Sequence, residues 1–146
     1  MIYNSPQFKQ IIDEVKSEYP DIRIIIQDKF DDEGFGGAYS ICSLKEVHIL
    51  PDIVEIVETL NELKWVLYHE IGHIVMRSKY NKSQYWKYWK LPKITKECYA
   101  DKFASDKIGK KHGLKVLQRI EDKWNKNNWG DKEILPRIER LIGDRE

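Results

Sequence analysis

The sequence predicts a single α+β domain: an N-terminal helix, a small three-stranded twisted sheet, and helices from there onward. Three observations carry this. Apolar residues recur at helical spacing between Phe8 and Tyr19. Three short runs between Ile22 and Leu50 are β-branched or alternating, with loop and turn residues between them. From about Thr59 the apolar spacing turns helical and stays so. A length of 146 residues suits one domain, 1–146, around one core.

Taken in order, Ser5-Pro6 is a helix start, with Ser5 as N-cap and Pro6 in the first turn. Phe8, Ile11, Ile12, Val15 and Tyr19 form its apolar stripe, and Pro20-Asp21 stops it. Residues 22–27 read as a mostly buried strand. Residues 28–37 are acidic and glycine-containing, hence a loop. Residues 38–42 form a second strand, 43–45 a tight connection, and 46–50 its hairpin partner, ended by Pro51-Asp52. Ile53, Ile56, Val57 and Leu60 allow a helix from Asp52, but Thr59-Leu60-Asn61-Glu62 is a capping-box pattern and favours a start at Thr59. Leu63, Val66, Leu67, Ile71, Ile74 and Val75 supply the buried side of that helix. Residues 78–92 break the pattern. Residues 95–110 read as a helix punctuated by Gly113, and 114–124 and 132–142 as two closing helices.

Composition bounds the function. Apolar residues at 41% and charged residues at 34% are ordinary for a globular chain. No apolar run approaches the roughly 20 residues of a membrane span. Residues 1–6 lack the charged segment and apolar core of a signal peptide. Two cysteines make no disulfide framework, so a reducing, cytoplasmic setting is expected. Net charge is +1, which excludes a polycation. The charge is uneven, however. No Asp or Glu occurs from Ile71 to Lys96, a stretch holding Arg77, Lys79, Lys82, Lys87, Lys90, Lys93 and Lys96.

The chemistry centres on His69-Glu70-Ile71-Gly72-His73. Residues four apart share one helix face, so His69 and His73 can offer two imidazole nitrogens to one metal ion. Glu70 is placed to act on a metal-bound water. A catalytic zinc ion takes three protein ligands and one water. No histidine follows His73 until His112, and Glu97 is the better third ligand. On a helix, Glu97 and Asp101 lie on one face; Glu97 reaches the metal, and Asp101 reaches a ligating imidazole from behind. Ala100 and Ala104 are small enough to let that helix approach the His69–His73 helix.

His69-Glu70-Ile71-Gly72-His73 followed by Glu97-x-x-Ala100-Asp101-x-Phe103-Ala104 resembles the gluzincin pattern of zinc metallopeptidases, and is most similar to the ImmA/IrrE family and to minigluzincins. The resemblance implies a zincin-like fold: N-terminal helix, small three-stranded twisted sheet, HExxH helix, glutamate helix and two C-terminal helices. It implies Zn2+ as cofactor on His69, His73 and Glu97. Glu70 is then the base of a zinc endopeptidase, and Asp101 orients His69. The substrate it implies is a specific intracellular protein, a transcriptional regulator being the example the family offers. Enzymes of this group commonly draw an oxyanion donor from a histidine or tyrosine further along; His112, Tyr85 and Tyr88 are the candidates. An extended substrate would lie along a sheet edge, for which 36–40, with Gly37, Ala38 and Tyr39, is the expected strand. Residues 79–93 have no counterpart in the resemblance.

Other readings compete. His48 alternates within a strand and is expected to be satisfied there. Cys98 is expected in the core and Cys42 in a buried strand, though Cys42 could also cap the metal in a latent form. A self-processing or latent peptidase, with its own terminus in the cleft, is a second enzymatic reading. Tyr80–Trp89 reads as a hydrophobic flap over the cleft or as a protein-substrate contact, and its interleaved lysines and aromatics also suit single-stranded nucleic acid. That gives a nucleic-acid-associated or protein-binding module with a structural or inactive zinc site. Glu70 argues against it, since a structural site needs no base.

Overall fold

A computed structural model describes residues 5–28, 37–126 and 133–143. Six α-helices and three strands lie among them: α1 (Pro6–Glu18), β1 (Arg23–Ile26), β2 (Ala38–Ile41), β3 (Glu46–Ile49), α2 (Leu60–Ser78), α3 (Tyr85–Lys90), α4 (Lys93–Ile108), α5 (Lys110–Lys126) and α6 (Ile134–Gly143). The fold is α+β, with one mixed sheet. No helix among the described residues is long and apolar enough to cross a membrane.

Local chemistry sets each boundary. The Phe8 N–H donates to Ser5 Oγ at 3.1 Å and caps α1, whose buried face is Phe8, Ile11, Ile12 and Val15. The sheet order is β1-β3-β2. Strand β3 is central, parallel to β1 (Ile24 opposite Val47) and antiparallel to β2 (Ala38 opposite Ile49, Ile41 opposite Glu46). The β2–β3 connection is a 3-10 turn, Cys42–Leu44, closed by Lys45 in the left-handed region at φ 52°. Both β1 and β2 are edges. The mostly buried strand expected at 22–27 is therefore only half so: Ile22 and Ile24 are buried, but Ile26 is 42% exposed.

Helix α2 starts where its capping box places it. The Glu62 N–H donates to Thr59 Oγ1 at 3.1 Å. The Glu62 carboxylate accepts the Glu58 N–H at 3.1 Å and is paired with Arg119 of α5. Residues 53–57 form not a helical prelude but a 3-10 turn, Pro51–Glu55, that sends Ile53, Ile56 and Val57 into the core. Helix α2 is buried on almost every side, including Trp65, His69, Glu70 and Gly72. A helix so enclosed carries polar groups only at a large cost unless they are partnered.

Two glycines set helix spacing. A Cβ on Gly72 would sit 3.1 Å from both Ala100 Cα and Phe103 Cβ, so α2 and α4 approach closely there. A Cβ on Gly113 would stand 2.3–2.5 Å from Trp65 ring atoms. Gly113 therefore lies inside α5 and does not end a helix; the break falls at Gly109, with φ 110°. The patternless stretch expected at 78–92 holds helix α3, short enough that its period is not visible in the sequence. The expected loop at 28–37 lies almost wholly outside the described residues, as does Lys132.

Gly113→Ala is expected to lower stability by about 2 kcal/mol through the clash with Trp65, read as a shifted urea midpoint. Glu62 gives a pH signature. Burial alone would raise its carboxyl pKa, but Arg119 and the Glu58 N–H hold it below its ordinary 4.5. A depressed folded value adds stability above the unfolded pKa and loses it as pH falls. Arg119→Met should therefore cost about 2–3 kcal/mol at neutral pH. The difference from wild type should close only as pH falls below 4.5 and acid protonates Glu62; a gap undiminished well below pH 4.5 contradicts this pairing.

Candidate metal centre

Helices α2 and α4 bring four of the predicted residues to one point. His69 Nε2 lies 3.2 Å from His73 Nε2 and 3.2 Å from Glu97 Oε2, and His73 Nε2 lies 3.3 Å from Glu97 Oε1. Ligand atoms about 2.0–2.1 Å from a tetrahedrally held ion stand roughly 3.3 Å apart. The two imidazole nitrogens, each with one Glu97 oxygen turned to it, thus stand about as far apart as ligands on one ion. Glu70 is beside them, Oε1 at 3.9 Å from His69 Nε2, and the metal-binding atoms of His69, Glu70 and His73 fall within 4.8 Å of one another. Glu70 Oε2 is buried with no hydrogen-bond partner among the described residues.

Behind His69 lies a second layer. His69 Nδ1 stands 2.9 Å from Asp101 Oδ1, and Trp65 stacks on the imidazole at 5.4 Å. Arg137 of α6 grips Asp101 with both arms: Nε donates to Oδ2 at 2.9 Å and an Nη2 hydrogen to Oδ1 at 2.8 Å. A third nitrogen, Nη1, lies 3.4 Å from Glu97 Oε2. Nothing in the sequence singles out Arg137. It stands 36 residues from Asp101 on an ordinary amphipathic helix, and only the docking of α6 on α4 joins them.

The electrostatics of this cluster favour a cation. Glu70, Glu97 and Asp101 carry three negative charges and Arg137 one positive, all four buried or nearly so. With neutral imidazoles the sum is two negative charges, which one divalent ion cancels. The same excess acts on the titrations. Burial pulls the His69 pKa down, but Asp101 and Glu97 outweigh it and push it up to about 10. Burial raises Glu70. Burial would also raise Glu97 and Asp101, yet His69, His73 and Arg137 hold both carboxyls low. The donor set, its spacing and its charge therefore all fit a divalent ion.

A cleft of about 770 Å³ opens over the cluster. Strand β2 flanks it with Ala38, Tyr39, Ser40 and Ile41, so the β2 edge and the candidate ligand atoms share one space. Gly37 is buried just before β2 with φ +78° and packs on Ile53 and Ile56; Gly36 lies outside the described residues. Among the three oxyanion candidates, Tyr88 lines the cleft. Its ring is 4% exposed and its hydroxyl, pushed up to about 12 by burial and by Cys42, stays protonated. Tyr85 is instead covered by the Arg77 guanidinium, 4.3 Å from its ring, and His112 sits at the start of α5, away from the cleft lining. His48 is taken up by Gln27 and Glu46 and stacks on Tyr39. Cys42 is no buried strand residue; it is half-buried in the cleft wall where β2 ends. Cys98 is half-buried beside Arg140 rather than in the core.

Comparison with family models, with curated proteins and with solved structures yields no match to this chain.

Arg137→Met leaves Asp101 a buried carboxylate without its guanidinium. Zinc titration against a chromogenic chelator should show affinity weakened about tenfold to a hundredfold. Arg137→Lys should restore only part of it, since an ammonium cannot span both oxygens. Unchanged affinity in both variants would exclude a supporting role for Arg137.

Proposed function

We propose that this chain is a zinc-dependent endopeptidase of the gluzincin type, with a zincin-like fold most like the ImmA/IrrE family or a minigluzincin, acting on an intracellular polypeptide. The observation that carries the reading is the convergence of His69, His73 and Glu97 at 3.2–3.3 Å beside a buried Glu70 oxygen without a partner among the described residues, in a cleft flanked by the β2 edge. His69, His73 and Glu97 would hold the ion. Bound zinc would supply Lewis-acid polarisation of water and of a peptide carbonyl.

The chain's own groups do the rest. A peptide laid along β2 is held extended by backbone hydrogen bonds, in the cleft that Glu70 also lines. Glu70 takes the proton of the attacking water and returns it to the leaving amine. Its burial raises its affinity for that proton, which suits a group that must first accept and then donate. The protonated Tyr88 hydroxyl can donate to the oxyanion as charge develops there. Asp101, fixed by Arg137, holds His69 Nδ1 so that Nε2 faces the ion. Val66, Val116, Leu117, Ile120, Trp124 and Ile134 form apolar walls at the other end of the cleft, suited to one large side chain.

A binding module with an inert zinc site is the other reading. A structural site is closed by a fourth protein ligand and has no use for Glu70, so the two separate cleanly by mutation. Glu97→Ala should lose stoichiometric zinc by elemental analysis. Glu70→Gln should retain zinc and lower cleavage by at least about a hundredfold, followed by cleavage-site mapping on a whole proteome. Persistent cleavage by Glu70→Gln rules out the mechanism; zinc retention by Glu97→Ala rules out that ligand.

A further inference from the structure

The cleft has two chemically different ends. Gly37, just before β2, packs on Ile56, beside the apolar walls. Cys42, just past the other end of β2, lies beside Tyr88 in the cleft wall. Strand β2 therefore runs from the apolar end to a rim built by α3 and the start of α4. On that rim Trp89, Lys93 and Lys96 line the cleft. The Lys96 ammonium lies 4.5 Å from the Tyr88 ring centre and 5.4 Å from that of Trp89. The Arg77 guanidinium lies 6.0 Å from the Trp89 ring, with its Nε buried and without a hydrogen-bond partner. Trp89 itself is 64% exposed.

Cations on aromatic faces retain their charge while losing part of their water, and each is short of an anion. Lys93 has Glu133 at 3.9 Å, but neither Arg77 nor Lys96 has a carboxylate partner among the described residues. The rim belongs to the stretch from Ile71 to Lys96, which has seven cations and no Asp or Glu, against a net charge of +1 for the whole chain. Two of those cations, Lys93 and Lys96, line the cleft itself, so a segment entering it meets a local positive field.

We propose that this rim selects an acidic polypeptide segment, bound as a strand antiparallel to β2. Antiparallel addition places the N-terminal half of the peptide at the Tyr88 end, so its Glu or Asp residues precede the bond presented to Glu70. Cleavage of the bound segment rests on the peptidase reading; its capture by the rim does not. Polypeptide is favoured over single-stranded nucleic acid because the rim is continuous with an open sheet edge. A phosphate backbone following the same cleft would meet Glu70 and Glu97.

The test uses the full chain carrying Glu70→Gln and short fluorescein-labelled peptides, identical except for a run of Glu, Gln or Lys in the N-terminal half. Anisotropy should show the Glu peptide binding at least about tenfold tighter than the Lys peptide, with the advantage shrinking as salt rises. Lys93→Glu combined with Lys96→Glu should reverse the order. Trp89→Ala, at an exposed position where folding is not at stake, should weaken the Glu peptide by at least about threefold. Equal affinities, or an order unchanged in the reversed-charge variant, overturn the proposal. Tighter binding of a thymidine oligonucleotide that displaces the Glu peptide does the same. A peptide with its Glu run in the C-terminal half binding equally well overturns the antiparallel placement. Because the variant lacks the base, absence of cleavage by the wild type leaves the binding result intact. Charge-blind binding beside normal cleavage removes the proposed selectivity alone.

Discussion

Burying three carboxylates and two imidazoles between a pair of helices is the constraint on which this structure turns. Neither helix could hold its polar face against an ordinary apolar partner. Helix α2 presents His69, Glu70 and His73 from its most enclosed stretch; α4 presents Glu97 and Asp101 in return. The helices must be close for those groups to meet, and Gly72 against Ala100 is what permits it. Even so the charge does not balance within the pair. Arg137 arrives from α6 to offset part of it, leaving a negative remainder of the size that a divalent cation would cancel.

Much of this was written in short-range patterns. Residues four apart on one helix gave the His69–His73 pair and the Glu97–Asp101 pair, since helical geometry converts that spacing directly into a shared face. Ser5-Pro6 and Thr59-x-x-Glu62 gave the starts of α1 and α2, because capping is satisfied within a few residues. Contacts that depend on tertiary docking left no such trace. Arg137 looks like any surface arginine until α6 packs on α4. Gly113 reads as a helix breaker because a sequence displays its propensity and not the Trp65 ring that requires its missing Cβ. Tyr85 and Tyr88, three apart, are equivalent on paper. The fold turns one into the cleft and puts the other under Arg77.

The distribution of charge has the same division of labour. The buried side of α2 and α4 carries the carboxylates, and the exposed turn between them carries the lysines and tryptophans. The two fields are of opposite sign and share one cleft. An excess of cations at the rim lowers the potential energy of anions approaching it, while the interior discourages anions from advancing to the imidazoles. A peptide can satisfy both fields, with its acidic side chains outside and its uncharged backbone inside.

The grip of Arg137 on Asp101 also ties the cluster to a helix far along the chain. His69, His73 and Glu97 leave the ribosome before Arg137 does. Until α6 docks, closing α2 on α4 buries Asp101 without its guanidinium, at a cost of several kcal/mol. Docking of α6 is therefore what offsets the Asp101 charge behind His69, and the cluster between α2 and α4 depends on a helix that supplies none of its candidate ligands.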